Sequence, residues 1–227
     1  MYYNIKFLSK GMIRLIKTKK RGNLIVLSGP SGAGKGSICK EILKNNNNIW
    51  LSVSCTSRNP RGSEKNTIDY YFLSNDEFEE KINNGEFLEY AKYNDNYYGT
   101  LKENIENKLN DGIDVILEIE VQGALQINDK IKDAIFIFIM PPSMQELKKR
   151  LTLRNTENEE KIIKRFKRAY KEINEISTYN YVVINDKLDE AVKKVESILS
   201  AEYCRVDRII DIDLGNIEEL IHEELVK

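Results

Sequence analysis

The densest chemistry in the chain is Gly29-Pro30-Ser31-Gly32-Ala33-Gly34-Lys35-Gly36-Ser37, which follows the apolar run Leu24-Ile25-Val26-Leu27 and Ser28. Glycines at this spacing let consecutive backbone N–H groups converge on one anion. A helix starting at the end of the loop adds its own unpaired N–H groups and a partial positive charge. Lys35 contributes a mobile full charge that follows phosphate oxygens. Strand, glycine-rich turn and helix-opening lysine together have the form of a phosphate-binding loop. The usual ending of that motif, Gly-Lys-Ser/Thr, puts a hydroxyl on magnesium; here Gly36 intervenes and the hydroxyl stands one place later, on Ser37. Gly36 offers no ligand, so Mg²⁺ is expected to reach the protein through water and to rest mainly on substrate phosphates.

A second constellation lies between Lys148 and Arg168. Arg150 and Arg154 are four apart and share a helical face; Arg165 and Arg168 are three apart on a second helix. The polar stretch Asn155 to Glu160 separates the two. Beside a phosphate loop, this helix-loop-helix is expected to act as a closing lid whose arginines meet transferred phosphate, through a bidentate fork and a permanent charge. A third, turn-rich segment carries Arg58, Arg61 and Glu64 among hydroxyl residues.

These groups need a scaffold, and composition says which kinds are open. With 227 residues, 41% hydrophobic and 31% charged, the chain suits one large domain or a core with insertions. No apolar run approaches the roughly 18 residues of a membrane span. His222 is the only histidine, which argues against histidine-centred catalysis or metal binding. Cys39, Cys55 and Cys204 lack paired spacing and read as reduced thiols of a cytoplasmic protein. Residues 1–21 hold seven Lys/Arg and no acid, leaving 28 basic residues against 36 acidic ones in the rest of the chain. So acidic a body is a poor nonspecific binder of nucleic acid. The basic segment lacks a secretory apolar region; it is read as an extension lying on the fold or disordered, with an organellar presequence or a membrane-surface segment as the alternatives.

Apolar runs alternate with helical patterns through most of the chain. Strands are expected at Leu24–Leu27, Trp50–Ser54, Ile113–Ile119, Ala134–Met140 and Tyr181–Ile184, and helices at Lys35–Lys44, Leu101–Asn110, Gly123 to about Asn128 and Leu188–Glu202. A further helix is capped by Ser143, with Glu146 at capping-box spacing. The pattern predicts an α/β fold with a parallel sheet, helices on both faces, and ligands at the carboxyl ends of the strands. Between residues 52 and 100 the alternation fails. There, a short aromatic strand at Tyr70–Phe72, a helix capped by Ser74 or Asn75, and a hairpin turning at Asn94-Asp95-Asn96 predict a small, mostly β insertion. The expected organisation is a basic extension (1–21), a core (22–51, 101–146 and 170–203) with insertion (52–100) and lid (147–169), and a C-terminal extension (204–227). Ile217, Leu220, Ile221 and Leu225 give that last piece a helical stripe, packed on its own core or serving a dimer.

Read together, the motifs resemble those of guanylate kinases. The residues carrying the resemblance are Ser28 to Ser37, Ser52 to Glu64, Asp69 to Phe72, Phe87 to Tyr90, Tyr97 to Thr100, Leu117 to Gly123, Pro141 to Ser143, Arg150 to Glu160 and Ile184 to Asp186. The resemblance covers about Leu24 to Glu202. It implies reversible transfer of the ATP γ-phosphate to GMP with Mg²⁺, in a phosphate-loop core with a mixed-β GMP-binding insertion and a helical lid. By the same resemblance Gly29 to Ser37 and Asn185 hold ATP, while Ser37 and Glu118 meet Mg²⁺ through water. Arg58, Arg61, Tyr70 and Tyr98 hold the GMP phosphate, with Glu64 in the same site, and Ser54, Glu89, Thr100 and Glu120 read guanine. Lys35, Arg58, Arg150, Arg154 and Arg165 are the expected catalytic set. Guanine's adjacent N1–H and N2–H₂ donors suit one carboxylate such as Glu89, a donor pair that adenine lacks. Glu120 stands where the family often has Asp, and Thr100 where it often has Ser. Two other readings remain: a non-catalytic guanylate-kinase-like interaction module, which the retained Lys35 and lid arginines disfavour, and a kinase for another nucleoside monophosphate, which Glu89 with Ser54 disfavours. The partners implied are ATP and GMP, with no nucleic acid and no membrane span, in a monomer or weak homodimer.

Overall fold

A computed structural model describes residues 7–9, 12–18, 21–93, 95–153 and 159–213. In chain order the elements are β1 (Phe7–Ser9), β2 (Met12–Thr18), β3 (Leu24–Ser28), α1 (Lys35–Asn45), β4 (Ile49–Leu51), β5 (Cys55–Thr56), β6 (Tyr71–Phe72), α2 (Asn75–Asn83), β7 (Phe87–Tyr93) and β8 (Asn96–Leu101). Then follow α3 (Lys102–Asn110), β9 (Asp114–Glu118), α4 (Val121–Lys130), β10 (Ile135–Met140), α5 (Met144–Leu153), α6 (Glu159–Ile173), β11 (Tyr181–Ile184), α7 (Leu188–Glu202) and β12 (Ile209–Asp213).

Five strands in the order β11-β10-β3-β9-β4 make one parallel sheet. Parallel neighbours require helical crossovers, and those helices bury both faces of the sheet. Alternation along β3 shows the division. Ile25 and Leu27 join Ile38 and Ile42 of α1 and Val192 and Val195 of α7 on one face. Val26 joins Ile105 and Leu109 of α3 and Ala124 and Ile127 of α4 on the other. The apolar run of β10 is buried from Ile135 to Ile139, as a strand covered on both faces must be. The connections from β3 and β9 leave opposite faces, so a crevice opens at their carboxyl ends. The phosphate loop leaves β3 into that crevice.

The insertion forms a second, mixed sheet, β6-β5-β8-β7, in which only β5 and β6 run parallel. Helix α2 closes it. Ser74 and Glu77 form a reciprocal capping box, and Phe78 stacks on Phe87 and Tyr97 at 4.3 and 5.1 Å between ring centres. The hairpin is tighter than expected: Asn96, read as part of the turn, already pairs with Tyr93. Asp95 adopts φ 64°, a left-handed conformation that a short polar side chain tolerates.

Four expectations need correction. The strand begun at Trp50 ends at Leu51, because the chain leaves the sheet there: Ser54 C=O already accepts from Tyr71 N–H of the insertion. Ser143 Oγ does accept from Glu146 N–H at 3.1 Å, but the Glu146 carboxylate takes Arg150 Nε at 2.9 Å and does not complete the box. The C-terminal extension is not helical over its first part. A 3-10 turn (Val206–Arg208) leads into β12, whose Ile-Ile-Asp-Ile-Asp alternation has the period of a strand. β12 pairs antiparallel with β2, and β1 pairs with β2, so residues 12–18 of the basic segment, read as an extension lying on the fold or disordered, are strand, which removes the disordered alternative for them. Residues 214–227, including the helical stripe, lie outside the described residues. Buried Arg208 anchors this third sheet: it donates to Asn23 Oδ1 and to Asp133 C=O and pairs with buried Glu202 at 3.1 Å. Among the described residues no helix is long and apolar enough to cross a membrane.

Candidate active site

At the carboxyl ends of the core strands a cavity of about 790 Å³ separates the phosphate loop from the insertion. Ser31, Gly32 and Gly34 to Ser37 line its donor side. Gly34, at φ 94°, turns the chain into α1, where an L-side chain would be strained and would also strike the Asn185 amide. That amide donates from Nδ2 to Ala33 C=O at 2.8 Å. Asn185 is buried and thus supports the loop from behind, as do Gly29, Pro30 and Ala33, none of which lines the cavity. Lys35 Nζ folds back onto Gly29 C=O at 2.6 Å, holding its charge at the loop.

Gly36 has a positive use in this arrangement. A Cβ there would lie 3.3 and 3.4 Å from the two carboxylate oxygens of Glu118, which ends β9 and lines the same cavity. The missing side chain lets that carboxylate approach the start of α1. Glu118 and Ser37 together offer the hard oxygen donors that suit Mg²⁺. Among the described residues no group of three or more His, Cys, Asp or Glu is arranged to hold a metal.

Across the cavity stands Glu89, a carboxylate only 5% exposed. Thr100 donates to its Oε1 at 2.7 Å, yet burial dominates and pushes its pKa up to about 7. Helix α4 fixes its place. Gln126 accepts from Tyr90 N–H and donates to Tyr90 C=O, acting as a peptide group beside β7, and Lys130 donates to Leu88 C=O. Both neighbours of Glu89 are therefore held. Gly123 of α4 gives it room: a Cβ there would lie 2.5 Å from Glu89 Oε2. Sequence reasoning missed Gln126 and Lys130, although Gln122, Gln126 and Lys130 recur every four residues along one helical face.

Ser54, Arg61, Tyr70 and Tyr98 line the same cavity. Arg58 sits behind that wall, 8% exposed, with its guanidinium 4.8 Å from the Tyr70 ring centre. Glu64 does not line the cavity. Its carboxylate forks onto Arg58 at 2.7 and 2.8 Å and accepts from Arg61 N–H at 2.8 Å, which brings its pKa down to about 2. The acid is the support of the arginine, whose guanidinium takes up both its oxygens.

From the lid, Arg165 lines the cavity and donates to Ser31 Oγ of the phosphate loop at 2.5 Å. Arg150 lies outside the cavity lining, donating to Glu146 and to Asn185 C=O. Arg154 lies outside the described residues. Arg168, which the sequence places one helical turn after Arg165, lines the cavity as well. Glu120, at the start of α4, lines it with its side chain half exposed and pairs with Arg168 at 3.4 Å.

A donor loop facing, across one cavity, a separate chamber with its own anion contacts and a buried carboxylate is the layout of a phosphate-loop nucleoside monophosphate kinase. The family model described as guanylate kinase matches residues 21–202. The chain is 58% identical over 206 residues to the guanylate kinase of Clostridium tetani, covering 91% of this chain and 99% of that one. It is 49% identical over 202 residues to the guanylate kinase of Lactococcus lactis, covering 89% and 98%. The crystal structure of guanylate kinase from Anaplasma phagocytophilum superposes with a TM-score of 0.70 at 32% identity, over 92% of this chain and 97% of that one. The chain belongs to the guanylate kinase family.

Proposed function

We infer that the chain catalyses ATP + GMP = ADP + GDP by in-line phosphoryl transfer. The observation that carries this reading is Glu89, a buried carboxylate that opens onto the cavity of the phosphate loop with Thr100 already on one oxygen. One carboxylate accepts the N1–H and N2–H₂ donors of guanine in parallel. Adenine presents no such pair and leaves the buried group unmatched, at a cost of about 1–3 kcal/mol or more.

The residues divide the work by position. The backbone of Ser31 to Ser37 and Lys35 take the donor phosphates. Arg61, Tyr70 and Tyr98 take the acceptor phosphate, with Arg58 adding charge from behind and Glu64 fixing it. Ser54, Thr100 and Glu120 complete the nucleoside contacts around Glu89. Arg165, one bond from the donor loop, is placed to meet the charge that moves between the two nucleotides; Arg150 and Arg154 are assigned to the same charge as the lid closes. In such a transfer alignment and stabilisation of equatorial oxygen charge supply most of the rate. Mg²⁺, held by phosphate and through water by Ser37 and Glu118, would neutralise charge on the donor phosphates. No side-chain nucleophile is required. Closure of lid and insertion excludes water, so that ATP is not spent on hydrolysis.

We assign the protein to the cytoplasm, where both nucleotides are available, as a monomer or weak homodimer. Its three free cysteines agree, and burial pushes the thiols of Cys39 and Cys55 up, the latter to about 12. The test is a coupled ADP-release assay with GMP, AMP, UMP and dTMP as acceptors. Turnover with GMP at least a hundredfold above the others is expected; preference for another acceptor, or ATP binding without turnover, would overturn the reading.

A further inference from the structure

Helix α6 carries two arginines into the cavity, and they face different partners. Arg165 meets Ser31 of the donor loop; Arg168, one turn later, meets the acceptor side. The Arg168 guanidinium lies 5.0 Å from the ring centre of Tyr93, the last residue of β7 before the hairpin turn. Its Nε donates to Glu172 at 2.7 Å and one terminal nitrogen reaches Glu120 at 3.4 Å. One side chain thus touches the lid helix, the insertion hairpin and the start of α4, three elements that surround the acceptor chamber. It also pairs with two carboxylates: burial and, after it, Glu120 push the pKa of Glu172 up, while Arg168 opposes them.

We propose that Arg168 is a positioning residue of the acceptor site, which aims Glu120 at the acceptor nucleoside and ties the Tyr93 hairpin to α6. The proposal rests on GMP as acceptor. Without Arg168, Glu120 on the cavity wall and the buried Glu172 both lose the guanidinium they share, close to where a nucleotide dianion must enter. Glu120 also loses the contact that fixes its carboxylate. The planar guanidinium matters beyond its charge, because it pairs along one edge and stacks with its face, which an ammonium does not do.

The experiment compares wild type, Arg168→Gln, Arg168→Lys, Glu120→Gln and the Arg168→Gln/Glu120→Gln double variant. GMP binding is followed by titration calorimetry, KM and kcat for each nucleotide by ADP release, and folding by thermal unfolding. Arg168→Gln is expected to raise Kd and KM for GMP about tenfold, with the ATP KM unchanged and kcat within about threefold. Arg168→Lys should recover part of that loss, and Glu120→Gln should add little in the Arg168→Gln background, since both act through one contact. Unchanged GMP affinity overturns the proposal. So does a kcat fall at constant GMP KM, which would place Arg168 on the transferring phosphate, or a parallel loss for both nucleotides with lowered Tm, which would make it merely structural. Wild-type protein that binds ATP but not GMP would overturn the functional reading itself, a failure visible before any variant is compared.

Discussion

Replacing Glu89 by Gln should weaken activity and strengthen the fold, and the two effects have one cause. The carboxyl group, 5% exposed with a pKa near 7, is held above its ordinary 4.5 by desolvation. The folded state therefore keeps a proton that the unfolded state releases between those two values. Stability falls as pH rises through that window and levels off above about 7, at a cost of about 3 kcal/mol from 1.36 kcal/mol per unit. Gln bears no such charge but brings donors of its own that need partners, so we expect it to stabilise the protein at pH 8 by about 1–3 kcal/mol. At roughly 2–4 °C per kcal/mol for a chain of this size, Tm rises measurably at pH 8 and hardly at pH 4.5. Toward GMP the sign reverses. A charge-assisted bond worth about 1.5–3 kcal/mol is lost and an amide donor meets a guanine donor, so kcat/KM falls at least a hundredfold. Wild-type kcat/KM for GMP should also drop about tenfold per pH unit below 7, as the carboxylate is protonated, and the variant should be flat there. The assays are thermal unfolding at pH 4.5 and 8 and GMP-dependent ADP release across pH. A variant within tenfold of wild type, or one no more stable at pH 8 than wild type, would refute the reasoning.

Gly123→Ala should raise KM for GMP more than tenfold with little effect on KM for ATP, because its Cβ would lie 2.5 Å from Glu89 Oε2; steady-state kinetics with each nucleotide varied checks this. Arg165→Ala should lower kcat by about 10³ or more, the scale of an arginine finger, while Tm stays within a degree or two, as read by ADP release and thermal unfolding. Arg208→Met should do the converse. It strips the buried Glu202 of its 3.1 Å partner and lowers stability by about 3 kcal/mol in urea unfolding, with turnover at low temperature unchanged, since the pair lies away from the cavity.

The sheet and the phosphate loop were legible because short-range chemistry specifies them. The apolar run Ile135–Met140 had to be a covered strand, and Gly29 to Ser37 allowed one backbone path. Ser54, Arg61, Tyr70, Glu89, Tyr98 and Glu120, assigned through the resemblance to guanylate kinases, also fall on one cavity. What local pattern did not encode was which charged group satisfies which. Glu64 and Arg58 are six residues apart and the resemblance assigns both to the acceptor site; only the fold shows the acid paired with the arginine. Gln126 and Lys130 belong to a helix whose contact with β7 is tertiary, and the pairing of β2 with β12 joins opposite ends of the chain. The four-residue recurrence of Gln126 and Lys130 marks a shared helical face but not the strand that it meets.

The cavity selects guanine and passes the ATP γ-phosphoryl group to the phosphate of the nucleotide that carries it. The most direct measurement is product stoichiometry when ATP, Mg²⁺ and an equimolar mixture of GMP and AMP are incubated with the protein and the nucleotides are separated by ion-exchange chromatography. One GDP is expected for each ADP formed, with AMP left unchanged. ADP formed without GDP, or AMP consumed as readily as GMP, would contradict it.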